Sequence, residues 1–216
     1  MNKSELFPLI CERLTPLLSS NGYKFLKSRE KFQKTGHGVR IWIEPNVTYW
    51  ASSDYCMVSP RMSAHIDALE NVLAKHEKKK VDRHSSTVSI ISDNLPGAKF
   101  WTITSLDDFN GQVSEIEHII KYVCIPLLEN WSEHRILAAN MIENEPELFL
   151  SELHRLTTLF AYACAFRDDE IKSAIIQSVD LESIKRSQCQ IDPYYRQVLK
   201  SMETDIPEIG EIGVDL

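Results

Sequence analysis

Over residues 4–20, Leu6, Ile10, Leu14 and Leu17 fall at helical spacing, which predicts a helix capped by Ser4. Pro8 lies in its first turn. Pro16 is expected to kink or end it, and Asn21-Gly22 closes it. The period then changes to two. Tyr23 and Phe25 flank Lys24, and Val39, Ile41 and Ile43 alternate with Arg40, Trp42 and Glu44. Val47, Tyr49 and Ala51 come next, then Cys56 and Val58. With turn residues between these runs, residues 23–58 predict a meander of four or five short antiparallel strands with one buried and one wet face. Ser59-Pro60 reads as a helix start, because Met62, Ile66, Leu69, Leu73 and His76 repeat at four, three, four, three. Lys78-Lys79-Lys80 then suits the negative end of that helix dipole.

Two strands are expected next, Thr87 to Ile91 and Lys99 to Ile103, joined by a turn at Asp93-Asn94-Leu95-Pro96-Gly97. Ser105 caps the longest helix, whose stripe is Leu106, Phe109, Val113, Ile116, Ile120, Val123 and Leu127. Pro126 is expected to bend or stop it, and Ser132 to cap a short successor through Met141. Beyond Pro146 the pattern is helical: Phe149, Leu153, Leu156 and Phe160 form one stripe, and further helices start at Asp168-Asp169 and Asp192-Pro193. The fold class predicted is α+β: an antiparallel sheet packed with helices, followed by an all-helical C-terminal extension. The expected segments are an α+β domain at 1–142, a helical extension packed on it at 147–204, and a mobile acidic tail at 205–216.

Composition leaves room for a core, since 43% of the 216 residues are hydrophobic. Charge is uneven. Residues 1–108 hold 15 Lys+Arg and 12 Asp+Glu, while residues 109–216 hold 9 and 19, together the net −7. Cys11, Cys56, Cys124, Cys164 and Cys189 are odd in number and show no C-x-x-C spacing, the pattern of reduced thiols. No apolar run is long enough to span a bilayer, and Glu5, Glu12 and Arg13 interrupt any signal-like stretch. The expected location is the cytoplasm, with no membrane partner.

Candidate chemistry is sparse. None of the seven histidines is spaced H-x-x-x-H, and the glycines form no phosphate-binding motif. There is no G-x-S-x-G, and Asp107 and Asp108 read as helix-start residues rather than an acid–base pair. No catalytic, cofactor-binding or metal residue is therefore assigned. One cluster stands out. Lys24, Lys27, Arg29, Lys31, Lys34 and Arg40 lie in a segment whose only acid is Glu30, interleaved with Tyr23, Phe25 and Phe32. Basic strands with aromatic residues can hold a phosphate backbone and stack bases. They also protect a sheet edge against unwanted pairing.

The segment order resembles a family of small bacterial proteins with a domain of unknown function. The markers are Gly22-Tyr23-Lys24-Phe25 for a "G-F-K" start and Phe100-Trp101-Thr102-Ile103 for a "W-W-x-I" strand. The resemblance covers residues 5–135. Some such proteins sit near toxin–immunity systems, which implies a binding role. The leading expectation is thus a non-enzymatic protein-interaction module, with an immunity-type inhibitor of a bacterial toxin as its narrower form. It would use an acidic helical surface or a sheet face, and an acidic surface suits a basic partner. The alternatives are a nucleic-acid or phosphorylated-ligand binder using residues 24–40, and an enzyme whose site is assembled from distant residues.

Overall fold

The computed structural model describes residues 1–36, 38–82, 85–95, 99–143, 148–149, 151–180, 184 and 192–212. It is an α+β protein with antiparallel sheets, helices packed on them, and further helices at the C-terminal end. The chain separates into two units, one of Met1–Ala64 with Ser89–Glu133 and one of His65–Val88 with His134–Leu216. The expected segments 1–142 and 147–204 do not coincide with these units.

The first unit opens with α1, Lys3–Ser20, which buries Leu6, Ile10, Leu14 and Leu18. Its cap is Asn2 rather than Ser4: Asn2 accepts the Glu5 N–H, and the Glu5 carboxylate accepts the Asn2 N–H in return. Pro16 does not end this helix, which continues to Ser20. Glu12 and Pro16 lie on its exposed face, so the carbonyl that loses its donor can turn to water. Gly22, at φ +84°, takes the left-handed position after Asn21, where a side chain would be strained.

The expected meander divides between two sheets: β1 Lys24–Leu26, β2 Lys31–Gly36 and β3 Val39–Glu44 pair in chain order, while β4 Val47–Trp50 and β5 Tyr55–Val58 pair with each other in the second sheet. Next comes β6, Arg61–Ile66, where the sequence pattern predicts helix. Met62 and Ile66 are four apart, a spacing that a helix face and a strand face share, and Ala64 between them completes the strand reading. β6 lies inside a five-stranded sheet of order β1-β2-β3-β6-β7, where β7 is Val88–Ile91. Burial on both faces takes in Ser63 and His65 and erases the polar alternation that marks a half-wet strand. Pro60 accepts the Ser92 N–H, and Ser63 bonds Ser89, so β6 and β7 run antiparallel. A smaller sheet has the order β4-β5-β8, with β8 at Trp101–Ile103. The two strands expected to be neighbours, β7 and β8, therefore belong to different sheets. Pro96 and Gly97 of the expected turn lie outside the described residues.

The long helix begins as predicted. In α3, Leu106–Ile119, Ser105 accepts the Asp108 N–H, and Phe109, Val113 and Ile116 are buried. It does not stop at Pro126. A π-helical stretch, Ile120–Cys124, leads directly into α4, Ile125–Ser132, with the exposed proline at the junction where the hydrogen-bond pattern changes. Ser132 bonds back to the Glu129 carbonyl instead of capping the next helix.

The second unit is helical: α2 Asp67–Glu77, α5 His134–Glu143, α6 Glu152–Phe166, α7 Asp169–Gln177 and α8 Asp192–Met202. α6 is central, with α2, α5, α7 and α8 packed around it. That explains why Leu153, Arg155, Leu156, Thr157, Thr158, Leu159, Phe160, Ala161, Tyr162 and Ala163 are all buried, on more faces than one stripe provides. The buried Arg155 is held by Glu152 and by the Ile142 and Ser178 carbonyls. The expected mobile tail starts instead with packed residues. Pro207–Ile212 is a 3-10 helix, Ile206 and Ile209 are buried, and Asp205 pairs with Lys75 at 2.5 Å. Residues 213–216, Glu182 and Cys189 lie outside the described residues. Cys11, Cys56 and Cys124 are buried free thiols, and Cys164 is half-buried.

Candidate functional site

The six basic residues singled out in the sequence do not converge. Register places Phe32, Lys34 and Ile41 on one face of the five-stranded sheet, and Lys24, Lys31, Gln33, Arg40 and Trp42 on the other. Lys31 is only 4% exposed, with its ammonium 3.6 Å from the centre of the Trp42 ring. Trp42 in turn donates to Glu44. On the opposite face Lys34 pairs with Glu129 at 2.8 Å, and the same carboxylate stands beside Tyr23. Burial above all, and then Glu129, push the Tyr23 phenol up from its ordinary value. Arg40 is half-buried, while Lys24, Lys27 and Arg29 are exposed at β1 and the turn after it. The cluster thus divides into internal partners and an exposed edge.

A different surface has the geometry of a contact face. In the small sheet Val47 lies opposite Val58, Tyr49 opposite Cys56, and Cys56 opposite Ile103. On this face Val47, Cys56, Val58 and Ile103 are buried, together with Trp101, while Tyr49 is exposed at its end. Trp101 donates to Glu115 at 3.0 Å, which with Lys99 holds that carboxyl below its usual range. The opposite face carries Thr48, Trp50, Tyr55, Met57 and Thr102, with Phe100 next in alternation. Trp50 and Tyr55 are directly paired, and Met57 lies between Thr48 and Thr102. Trp50 is 47% exposed and Phe100 52%. Transfer of such rings from water is favourable, so a surface presenting both is poised for burial.

The sequence contained a signal for this face: the wet half of each two-residue period held Trp50, Tyr55, Met57 and Phe100 instead of charged residues. Reading only the buried half missed them. Among the described residues no three His, Cys, Asp or Glu side chains are grouped to hold a metal ion, and no helix is long and apolar enough to cross a membrane. No protein-family model matches the chain, and neither does any curated protein or solved structure.

Proposed function

We propose that the chain is a non-enzymatic protein-interaction module that binds its partner through the outer face of the β4-β5-β8 sheet. The half-exposed Trp50, on one face with Tyr55 and Met57, and the half-exposed Phe100 immediately before β8 carry this reading. Aromatic residues and methionine are enriched in interface centres, and a few large side chains supply most of the binding energy there. The strands fix their backbones, so little ordering cost remains on association. An inhibitor of the immunity type is the narrower form of this proposal, with the face covering a toxin's working surface.

The test uses three forms of the full chain as bait in lysate of the native cell: wild type, Trp50→Ser/Phe100→Ser, and Lys24→Gln/Lys27→Gln. The proposal expects a protein captured by the wild type and the lysine variant, and lost by at least tenfold in the aromatic variant. Both variants should melt within about 2 °C of wild type, a shift of order 1 kcal/mol or less. Equal capture by the aromatic variant would remove the sheet face from consideration. Loss only in the lysine variant would move the site to the exposed basic edge.

A further inference from the structure

The helical unit contains a cleft of about 230 Å³ that the sheet-face reading does not use. Its walls come from α2, the segment after it, α6 and the first turn of α8. Glu70 and Glu77 are seven residues apart on α2, so they share one face two turns apart. On the far side the His154 ring stacks on Tyr195, with centroids 4.5 Å apart and planes at 11°. Phe149 meets His154 edge-on.

One half of the cleft is already occupied by the protein itself. Tyr194 donates its hydroxyl to Glu77. The Lys79 ammonium lies 4.7 Å from the centre of the Tyr194 ring, 3.4 Å from its hydroxyl and 3.8 Å from Glu77. This is an ammonium held by an aromatic face and a carboxylate. The remaining lining has the same elements, with no cation seated against its carboxylate among the described residues. Glu70 is held by the hydroxyls of Ser85 at 3.0 Å and Thr87 at 2.7 Å, and among the described residues no cation pairs with it. Two hydroxyl donors leave part of a carboxylate's acceptor capacity open. Tyr195 and His154 supply the rings, and the Nδ1 of His154 has no hydrogen-bond partner among the described residues. Burial holds that imidazole down to about 4, so it brings no competing charge at neutral pH.

We propose that this cleft binds a small organic cation, a primary ammonium compound of diamine size, with Glu70 as its charge partner and the Tyr195–His154 stack as its wall. Rings and a carboxylate together select a cation. Lining charges include Glu70, Glu77 and Asp82 against Lys79 and Lys80. The unit as a whole has 13 Lys+Arg and 19 Asp+Glu, a field that draws cations in. The volume is below the roughly 300 Å³ where drug-sized pockets begin, which suits a short amine.

Calorimetric titration of the full chain with putrescine, Nα-acetyl-lysine amide and acetate tests the proposal. Putrescine should bind and acetate should not. Glu70→Gln should weaken putrescine at least tenfold. Since Glu70 also anchors two hydroxyls, Lys79→Gln provides a second readout at an exposed position. It vacates the Tyr194–Glu77 position for the second ammonium and should tighten putrescine several-fold. Tighter binding of acetyl-lysine amide than of putrescine would make the cation a peptide side chain, and the reverse a free amine; either order upholds the chemistry. No binding of either amine at millimolar concentration, undiminished binding to Glu70→Gln, or weaker binding to Lys79→Gln would overturn it. None of these outcomes depends on Trp50 or Phe100.

Discussion

At the scale of single residues, burial decides the chemistry. Burial pushes the Cys11 and Cys124 thiols up to about 12, so both stay protonated and unreactive near neutral pH. His154 goes the other way, since a buried imidazole resists taking a proton: its value falls from 6.5 to about 4. The unfolded chain then binds more protons than the folded chain between those two values. Stability is complete above pH 6.5, declines as pH falls through that window, and levels off below about pH 4. The full loss is roughly 3 kcal/mol for a shift of this size. Urea titrations of wild type and His154→Phe at pH 7.5 and 4.5 should show the wild type losing more stability by about 2–3 kcal/mol. Parallel losses would show that the imidazole is solvated.

At the scale of elements, α3 is the case where local pattern and tertiary packing agree. Ser105 caps it, Asp107 and Asp108 occupy its positive end, and the three-four stripe turns inward from Phe109 to Ile120, although Leu106 is exposed and, past the π-helical stretch, Cys124 and Leu128 are buried in place of the expected Val123 and Leu127. Ile116 is 1% exposed, and Ile116→Ala is expected to cost about 2–5 kcal/mol in denaturant unfolding. A cost below about 0.5 kcal/mol would mean that the site collapses without a cavity. β6 is the opposite case. Its spacing fits a helix, yet its position between β3 and β7 makes it a strand, because the backbone groups of two neighbours are available to it. The small sheet differs from both. Its buried half was legible in Val47, Cys56 and Val58, while the exposed half with Trp50 and Phe100 had the same period and a different meaning.

At the scale of the whole molecule, the C-terminal segment changes role. Residues 205–216 read as acids and glycines between scattered apolar residues, but Ile206 and Ile209 are 3% and 2% exposed. Asp205 adds a pair with Lys75, and His76 lies 3.2 Å from the same carboxylate. Burying an isoleucine contributes about 1.5–3 kcal/mol. Truncation after Thr204 is therefore expected to lower the melting temperature by about 6 °C or more, at roughly 2–4 °C per kcal/mol for a chain of this size. A shift under about 2 °C would mean the segment is undocked in solution. The charge also takes on a different distribution. The unit of residues 1–64 and 89–133 is close to balanced, with 11 Lys+Arg and 12 Asp+Glu, so most of the net −7 belongs to the helical unit.

By itself the sequence determined what depends on near neighbours: the helices with a cap and a stripe, the antiparallel pairs of consecutive strands, and the α+β class. These arise from backbone geometry and from hydrogen bonds closed within a few residues. The tertiary structure alone decided which segments share a core. α2 leaves the sheet between β6 and β7 and packs on α6 and α8, far away in sequence. It also decided that the basic residues 24–40 divide between two faces and that Glu70, His154 and Tyr195 line one cleft. The cleft depends on contacts across more than eighty positions, and no local period records a partner that distant.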